Sequence, residues 1–445
     1  MRLALEGGTV LTSLTGGGLL EADVVVEDGR IVQLGEGTGP RVGRDCSGCL
    51  IVPGNVCAHT HLYSTLARGM PFDLEPPSNF LQILQRVWWR LDRALDEEAI
   101  RASALVGGAE ALLAGTTTLV DHHASPNAIS GSLDIVADAL EEVGARSILC
   151  YEVTDRDGPG RAQAGILENR RFARTVRPIS RAMVGAHASF TLSRETLAGC
   201  VEVARDEGLG IHIHLAEDLI DEGDSEARFG MPVAERLAEA GGLTERALLA
   251  HCVHVHPSEI AMIQGSGATV AHNPRSNMNN GVGRAPVEAL GDRVALGTDG
   301  IGADMFAESQ AAFWRAREEG LSVSPSWALD RLAEGTRLAG VAFGETALGR
   351  VEAGSPADLV VLDYSAPAPI SAQNLAGHWL FGLSASRARD ILVNGELVVK
   401  DRRLTRVDQD EIAAKAMATA AGLWERLRQV PIHGFEPAVP RAGDD

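Results

Sequence analysis

Two histidines one residue apart, His59 and His61, close an apolar run that passes through a Pro53-Gly54 break. On an extended chain, residues i and i+2 point to the same face, so both imidazoles can reach one metal ion. Two further pairs of this form stand at 212/214 and 254/256. Random placement of the histidines would give about 0.4 such pairs in the whole chain. Eleven of the 13 histidines lie between residues 59 and 272. Imidazole and carboxylate groups suit a divalent ion such as Zn²⁺, and a catalytic site keeps one position open for water. Hydrolysis is the chemistry that such a set would serve.

The elements that must position these residues are legible as apolar runs rich in Val, Ile, Leu and Ala that end in a polar residue. They fall at 53–59, 116–122, 146–153, 182–187, 209–215, 247–251, 268–272 and 293–299. Between them the spacing predicts helices over 98–113, 133–143, 194–207, 233–240 and 257–264. Eight strand-then-helix units fit an α/β fold of the (β/α)8 TIM-type barrel, whose active site lies at the C-terminal strand ends. An open doubly wound sheet competes, but no Gly-x-Gly-x-x-Gly turn follows a first strand. Outside the barrel, Asp28-Gly29 between β-rich runs predicts a hairpin. Similar runs recur at 357–363 and 391–399. The expected organisation is a barrel over 53–350 inserted into a small composite β-sandwich-like domain built from 1–52 and 351–445. A C-terminal helix over 408–430 would serve packing or subunit contact.

In a barrel the strand ends converge on one mouth, and here nearly every run ends in a metal-capable or proton-transferring side chain. Asp121-His122-His123, His187, His212 with His214 and Glu217, His251, His272 and Asp299 follow the opening pair. Buried ionisable groups are costly without partners, so a purely structural core would not collect them. His59, His61, one histidine of the fifth run and Asp299 form a candidate ligand set. His214 is nearer the strand end than His212 and is favoured, leaving His212 as a core histidine. Glu217 is placed to protonate a substrate atom, His251 to orient or polarise water, and Asp299 to accept its proton. His187 reads as a substrate contact, while His122 and His123 could touch substrate or hold other residues by hydrogen bonds. Substrate choice is expected from 62–95, with Arg68, Trp88 and Trp89, and from Asn277. In the 151–175 loop, Arg156, Arg161 and Arg170 could meet an anionic group.

Composition limits the partners. Sixty acidic against 40 basic residues give a formal charge of −20, which argues against nucleic acid or an anionic membrane. The N-terminus lacks the apolar core of a signal peptide and no run approaches 18 apolar residues, so a soluble cytoplasmic protein is expected. Six scattered cysteines make no disulfide framework, and Cys46-x-x-Cys49 without a second pair reads as structural before metal or redox roles. The expected partner is a small molecule, and the expected assembly a homo-oligomer, dimer or higher.

Several motifs carry a resemblance. Pro-Gly-x-x-x-x-His-Thr-His (53–61), His-Leu-Ala-Glu (214–217), Ala-His-Cys-Val-His (250–254), His-Asn-Pro-Arg-Ser-Asn (272–277) and Gly-Thr-Asp-Gly (297–300) resemble the amidohydrolase superfamily, in its metal-dependent deaminase and chlorohydrolase branch. Segments 88–98, 121–126, 275–280 and 299–306 are similar to the SsnA-type aminohydrolases, a group associated with selenium-linked purine catabolism. The resemblance implies the composite β domain, His59, His61, His214 and Asp299 as ligands, Glu217 as proton shuttle and His251 beside the water. Two-metal members bridge their ions through a carboxylated barrel lysine, whereas both lysines here, Lys400 and Lys415, lie outside the barrel. One ion per subunit is therefore expected, zinc first, with Fe²⁺ or Mn²⁺ as alternatives. Adenosine-type relatives use a lid glutamate for ribose, and 80–96 contains none, so a free base or other heterocycle is expected. The function implied is hydrolytic deamination of an amino-substituted N-heterocycle such as a purine or pterin. Alternatives are hydrolysis of a C–Cl or cyclic amide bond on a heterocycle, and, from another class, a metal-binding scaffold without catalysis.

Overall fold

A computed structural model describes residues 2–35 and 42–438. The outermost parts of the expected β domain, at 1, 36–41 and 439–445, lie outside the described residues. Five strands from the start of the chain, Leu3–Leu11, Leu19–Glu27, Arg30–Leu34, Val42–Asp45 and Leu50–Pro53, share one nine-stranded sheet with Leu359–Leu362, Ala388–Val393, Glu396–Lys400 and Arg403–Leu404. The two chain ends meet where Leu50–Pro53 runs antiparallel to Leu359–Leu362. Asp28 and Gly29 turn the second and third strands with φ of 48° and 83°. Two successive left-handed residues make the turn whose twist matches the flanking strands. Leu5, Val24, Ile31, Ile51 and Val361 form this sheet's buried face.

The interior holds the eight expected runs as parallel strands. Asn55–Thr60, Thr116–His123, Arg146–Tyr151 and Ser180–Ala182 form one sheet. Val184–Ala188, Ile211–Leu215, Leu248–His251, Thr269–His272 and Val294–Leu296 form a second. Nearly every residue in these strands is buried, as expected of parallel strands covered by helices. The helices stand where the apolar spacing put them, among them Glu97–Leu113, Ser132–Val143, Arg194–Asp206, Val233–Glu239 and Pro257–Ser266.

The expected closed barrel ladder is not formed. The two sheets are arcs joined at each seam by a single bridge, Val153 with Ala186 and Thr60 with Asp299. At the first seam the fourth run breaks at Met183, pairing with one neighbour before the break and the other after it. At the second, the last strand stops at Leu296 and the chain turns through Gly297 into a left-handed Asp299 (φ 54°). A Cβ at Gly297 would stand 2.8 Å from His59 Cβ and 2.4 Å from Asn273 Oδ1, so only glycine lets this backbone close on the first strand.

Over the strand ends lies a segment that apolar periodicity does not mark. Asn79 accepts from Gln82 N at 2.9 Å and starts the short helix Phe80–Ile83, which widens into a π turn, Leu84–Trp88, before Trp89–Ala94. The C-terminal helix, Gln409–Gln429, packs on this segment: Trp424 Nε1 donates to Leu66 O at 2.9 Å and Arg426 Nε to Ala94 O at 2.9 Å. No helix among the described residues is long and apolar enough to cross a membrane.

Candidate active site

Strand ends deliver the chemistry. The first strand carries His59 and His61, the strand Ile211–Leu215 carries His212 and His214, and the turn after Leu296 carries Asp299. Each of the three favoured histidines spends Nδ1 inside the protein. His59 Nδ1 bonds His212 Nε2 at 2.9 Å, His61 Nδ1 donates to His122 O at 2.6 Å, and His214 Nδ1 donates to His187 O at 2.9 Å. Their Nε2 atoms are thereby turned to a common point. His61 Nε2 lies 3.1 Å from His214 Nε2 and 3.0 Å from Asp299 Oδ1, and His59 Nε2 lies 3.4 Å from the same oxygen. A tetrahedral ion with bonds of about 2.0–2.1 Å needs ligand separations near 3.3–3.4 Å, and these three separations lie close to that spacing. The buried Nε2 of His59 has no hydrogen-bond partner, which a ligand role explains.

Among the described residues three overlapping groups of metal-capable side chains stand close together, one of them the buried trio His122, Cys150 and His212. The second is His59, His214, His251 and Asp299, and the third His61, His122, Glu152 and His214. His61 touches Asp299 of the His59 group at 3.0 Å and shares His214 with it. In the group with Glu152, His122 is committed elsewhere, with Nδ1 3.1 Å from Glu152 Oε2 and Nε2 3.1 Å from His212 O.

Electrostatics separate the carboxylates. Burial, then repulsion from Asp299, lifts Glu217 well above the usual carboxylate range, which favours its protonated form. Burial also acts on Asp299, but its contacts with His59 and His61 overcome that and hold it well below its ordinary value. Burial drives His59 down to about 3, whereas for His61 the contact with Asp299 outweighs burial and raises it to about 9. Asp299 and His61 thus form a buried ion pair, in which the proton on His61 occupies the place a metal ion would take. Glu217 Oε2 stands 3.5 Å from His251 Nε2, and Glu217 Oε1 accepts from Asn280 Nδ2 at 3.3 Å. His251 Nδ1 donates to Asn277 Oδ1 at 2.8 Å. Both His251 (φ 76°) and Asp299 (φ 54°) hold left-handed backbones, a strain on the order of 1–3 kcal/mol each that marks a functional turn.

Above this floor is a pocket walled by Trp88, Trp89, Phe190 and Leu84, with His61, His187, His214, Glu217 and Asp299 reaching into it. Trp88 and His187 thus stand where a substrate contact would. The others expected to touch substrate do not. Asn277 is buried beneath His251. His122 is enclosed by Glu152 and the fifth strand. Arg68 makes a two-pronged pair with Glu110 at 2.8 Å on each prong, outside the pocket. The three arginines suggested for an anion are also engaged. Arg156 is buried against Asp92 and Glu152, Arg161 bonds Asn127, and Arg170 pairs with Asp206 and Glu202. Residues that pattern reading missed include Asn280 on Glu217, Ser276 on Asp299, and the tail residues His433 and Phe435, whose rings pack edge-on against Trp89 at 5.2 and 5.8 Å. Only Asn280 and Ser276 had a sequence signal, being one helical turn apart directly after a strand end.

The Amidohydrolase family profile matches residues 50–398. The 5'-deoxyadenosine deaminase of Methanopyrus kandleri is 31% identical over 454 residues, covering 95% of this chain and 99% of its own. The 5-methylthioadenosine/S-adenosylhomocysteine deaminase of Desulforudis audaxviator is 31% identical, covering 96% of this chain and 100% of its own. Among solved structures, a zinc-bound adenosine deaminase from Xanthomonas campestris shares the fold with a TM-score of 0.82 at 24% identity, over 96% of this chain and 99% of that one. Zinc-bound atrazine chlorohydrolase from Arthrobacter aurescens TC1 superposes with a TM-score of 0.80 at 25% identity, over 94% and 100%.

Proposed function

This chain belongs to the amidohydrolase family, and from that premise we propose that His59, His61, His214 and Asp299 hold one divalent metal ion, zinc first, in a hydrolytic deaminase for an amino-substituted purine or related N-heterocycle. The protein is a hydrolase of carbon–nitrogen bonds other than peptide bonds. The substrate is a free base or the base of a 5'-modified adenosine, the latter class supported by the names of the relatives. The two arcs of parallel strands act as one eight-stranded barrel over 53–350, with the segments 1–52 and 351–445 forming the outer unit; the shared nine-stranded sheet supports that division. Assembly into a homo-oligomer belongs to the same reading, supported by the exposed aromatic pair Trp314 and Phe381 at 5.2 Å.

The reaction replaces a ring amino group by oxygen: an aminated ring carbon and water give the hydroxylated ring and ammonia. The ion, when bound, brings the pKa of a water molecule near neutrality. Glu217, whose protonated form burial favours, donates to the ring nitrogen next to the carbon under attack. Asp299, ionised, accepts the proton of the attacking water and passes it to the departing amine. His251, anchored through Nδ1 on Asn277, keeps Nε2 as an acceptor facing Glu217 and orients the water. Trp88, Trp89 and Phe190 offer a flat ring apolar faces and exclude bulk water.

One observation carries this reading: three Nε2 atoms and a carboxylate converge beside a carboxyl group held protonated. Zinc-loaded protein should release ammonia from at least one member of a panel of aminopurines, 5'-modified adenosines and pterins. Glu217→Gln should lower kcat by about 10²–10⁴-fold and keep one metal per chain by elemental analysis. Release of chloride from chlorotriazines without ammonia from any amine would move the assignment to the alternative chemistry.

A further inference from the structure

Beside the reaction pocket lies a second cavity that the mechanism does not use. The two share three lining residues, His61, Trp88 and Gly300. The open space in the reaction pocket is about 50 Å³, against about 290 Å³ in the neighbouring cavity. What separates them is the Trp88 indole. A Cβ built on Gly300 would stand 3.3 Å from Trp88 Cη2, so the ring edge rests directly on the backbone that follows Asp299. The π turn Leu84–Trp88 explains how adjacent tryptophans both reach the pocket, since a wider turn narrows the angle between successive side chains. The cavity is lined by Thr60, Ser64 and Thr65 and reaches solvent at the Arg68–Glu110 pair, whose side chains are 62% and 41% exposed.

The position of this cavity relative to the leaving group gives it a meaning. Thr60 pairs with Asp299 across the seam, and Ser64 Oγ donates to His61 O at 2.7 Å and to Gly300 O at 3.1 Å. The cavity therefore abuts the backbone of Asp299 and Gly300, next to the carboxylate to which the departing amine is assigned. Resting on the deaminase reading above, we propose that Trp88 is a specificity-determining partition: it confines the leaving group to ammonia, and the cavity behind it is sized and placed for the alkyl group of a secondary amine. With the partition removed, an N-alkylamino ring and water give the hydroxylated ring and the free primary alkylamine. The ring C–N bond breaks, the C–O bond forms, and the proton relayed by Asp299 ends on the amine, which leaves past Arg68.

The test compares kcat/KM for 5'-deoxyadenosine and its N6-propyl derivative, following ammonia and propylamine release, in zinc-loaded wild type, Trp88→Ala and Trp88→Ala with Thr65→Leu. The N6-propyl to amino ratio should rise at least tenfold in Trp88→Ala. It should fall back when Thr65→Leu refills the cavity, while Thr65→Leu alone leaves turnover of the amino compound unchanged. Equal loss on both substrates in Trp88→Ala, or an unchanged ratio, overturns the proposal. Trp88→Leu carries the same comparison should the alanine variant not fold. If wild type releases ammonia from none of the panel, the deaminase reading fails by itself. The partition is then judged by crystals of the Trp88 variant soaked in propylamine. Density for the amine in a cavity continuous with the pocket supports it, and a segment collapsed over the gap refutes it.

Discussion

Two groups of buried charges lie within one side chain of the same pocket, and they are built on opposite rules. Beneath the pocket, His59, His61, His214 and Asp299 turn their free atoms toward one point, and the buried Nε2 atoms of His59 and His251 find no hydrogen-bond partner. Behind the wall, charges are spent on one another: Arg156 bonds Asp92 and Glu152, and Glu152 also takes His122. The first arrangement is expensive unless something binds it; the second sets charges of opposite sign against one another, with only Asp92 Oδ1 and Arg156 Nε of that pair left without a hydrogen bond, and ties the helix Trp89–Ala94 to the strand end at Tyr151. Burial and residue type alone do not distinguish a site from a scaffold here. The direction of the unspent atoms does.

The hardest test of this contrast removes what the floor is built to hold. Dialysis against a strong chelator should abolish turnover entirely, and stoichiometric Zn²⁺ should restore it. His214→Ala should keep the chain folded, lose the metal in elemental analysis, and show no activity at any zinc concentration that leaves wild type saturated. A fully active chelated protein would remove the distinction between floor and wall.

The same contrast explains what could be read from the chain. The floor was legible because its residues sit at the ends of apolar strands, where an HxH pair, His214 with Glu217, and Asp299 fall at fixed offsets. The eight strands were legible for the same reason, each being apolar on both faces. The wall was not. Asp92 stands 64 residues before Arg156 and pairs with it only after folding, so no local spacing announces the contact. Arg156 consequently read as a free anion contact and proved to be half of a buried pair. The seams escaped for a different cause: whether two arcs join by a ladder or a single bridge depends on Gly297 and the left-handed turn at Asp299, which apolar periodicity does not report.

Breaking the wall should cost stability more than chemistry. Burial raises Asp92 to about 7, against the opposing pull of Arg156, so this carboxylate is retained for its partner and not for its own solvation. Asp92→Ala removes one of the three carboxylates, those of Asp92, Glu152 and Asp157, that surround the buried Arg156, and unfolding in denaturant should show a loss of about 3–5 kcal/mol. Because the Arg156 guanidinium also lies over the Trp89 ring, 5.3 Å from its centre, KM should rise while kcat changes little. A large fall in kcat with unchanged stability would place Asp92 on the floor side of the comparison.

A third buried carboxylate sharpens the rule by having too little compensation of either kind. Glu222 lies on the helix Leu219–Phe229 that follows the Glu217 turn. Burial, then repulsion from Glu259, with Asp221 adding to it, raise it to about 9. One of its oxygens accepts from Val233 N at 3.2 Å, and the other is buried without a partner. In the unfolded chain the same group titrates near its ordinary value of about 4.3. Below that pH both states hold the proton and folding is unaffected. Between that pH and about 9 the unfolded chain releases a proton that the folded chain keeps, so stability declines as pH rises through this window. Glu222→Gln keeps the shape and removes the titration. It should leave the apparent Tm nearly unchanged at about pH 4.5 and raise it by about 1–3 °C at about pH 8, measured by calorimetry. The opposite order, with the gain at low pH, would mean that Glu222 is ionised in the fold and held there by a cation, which would class it with Asp299.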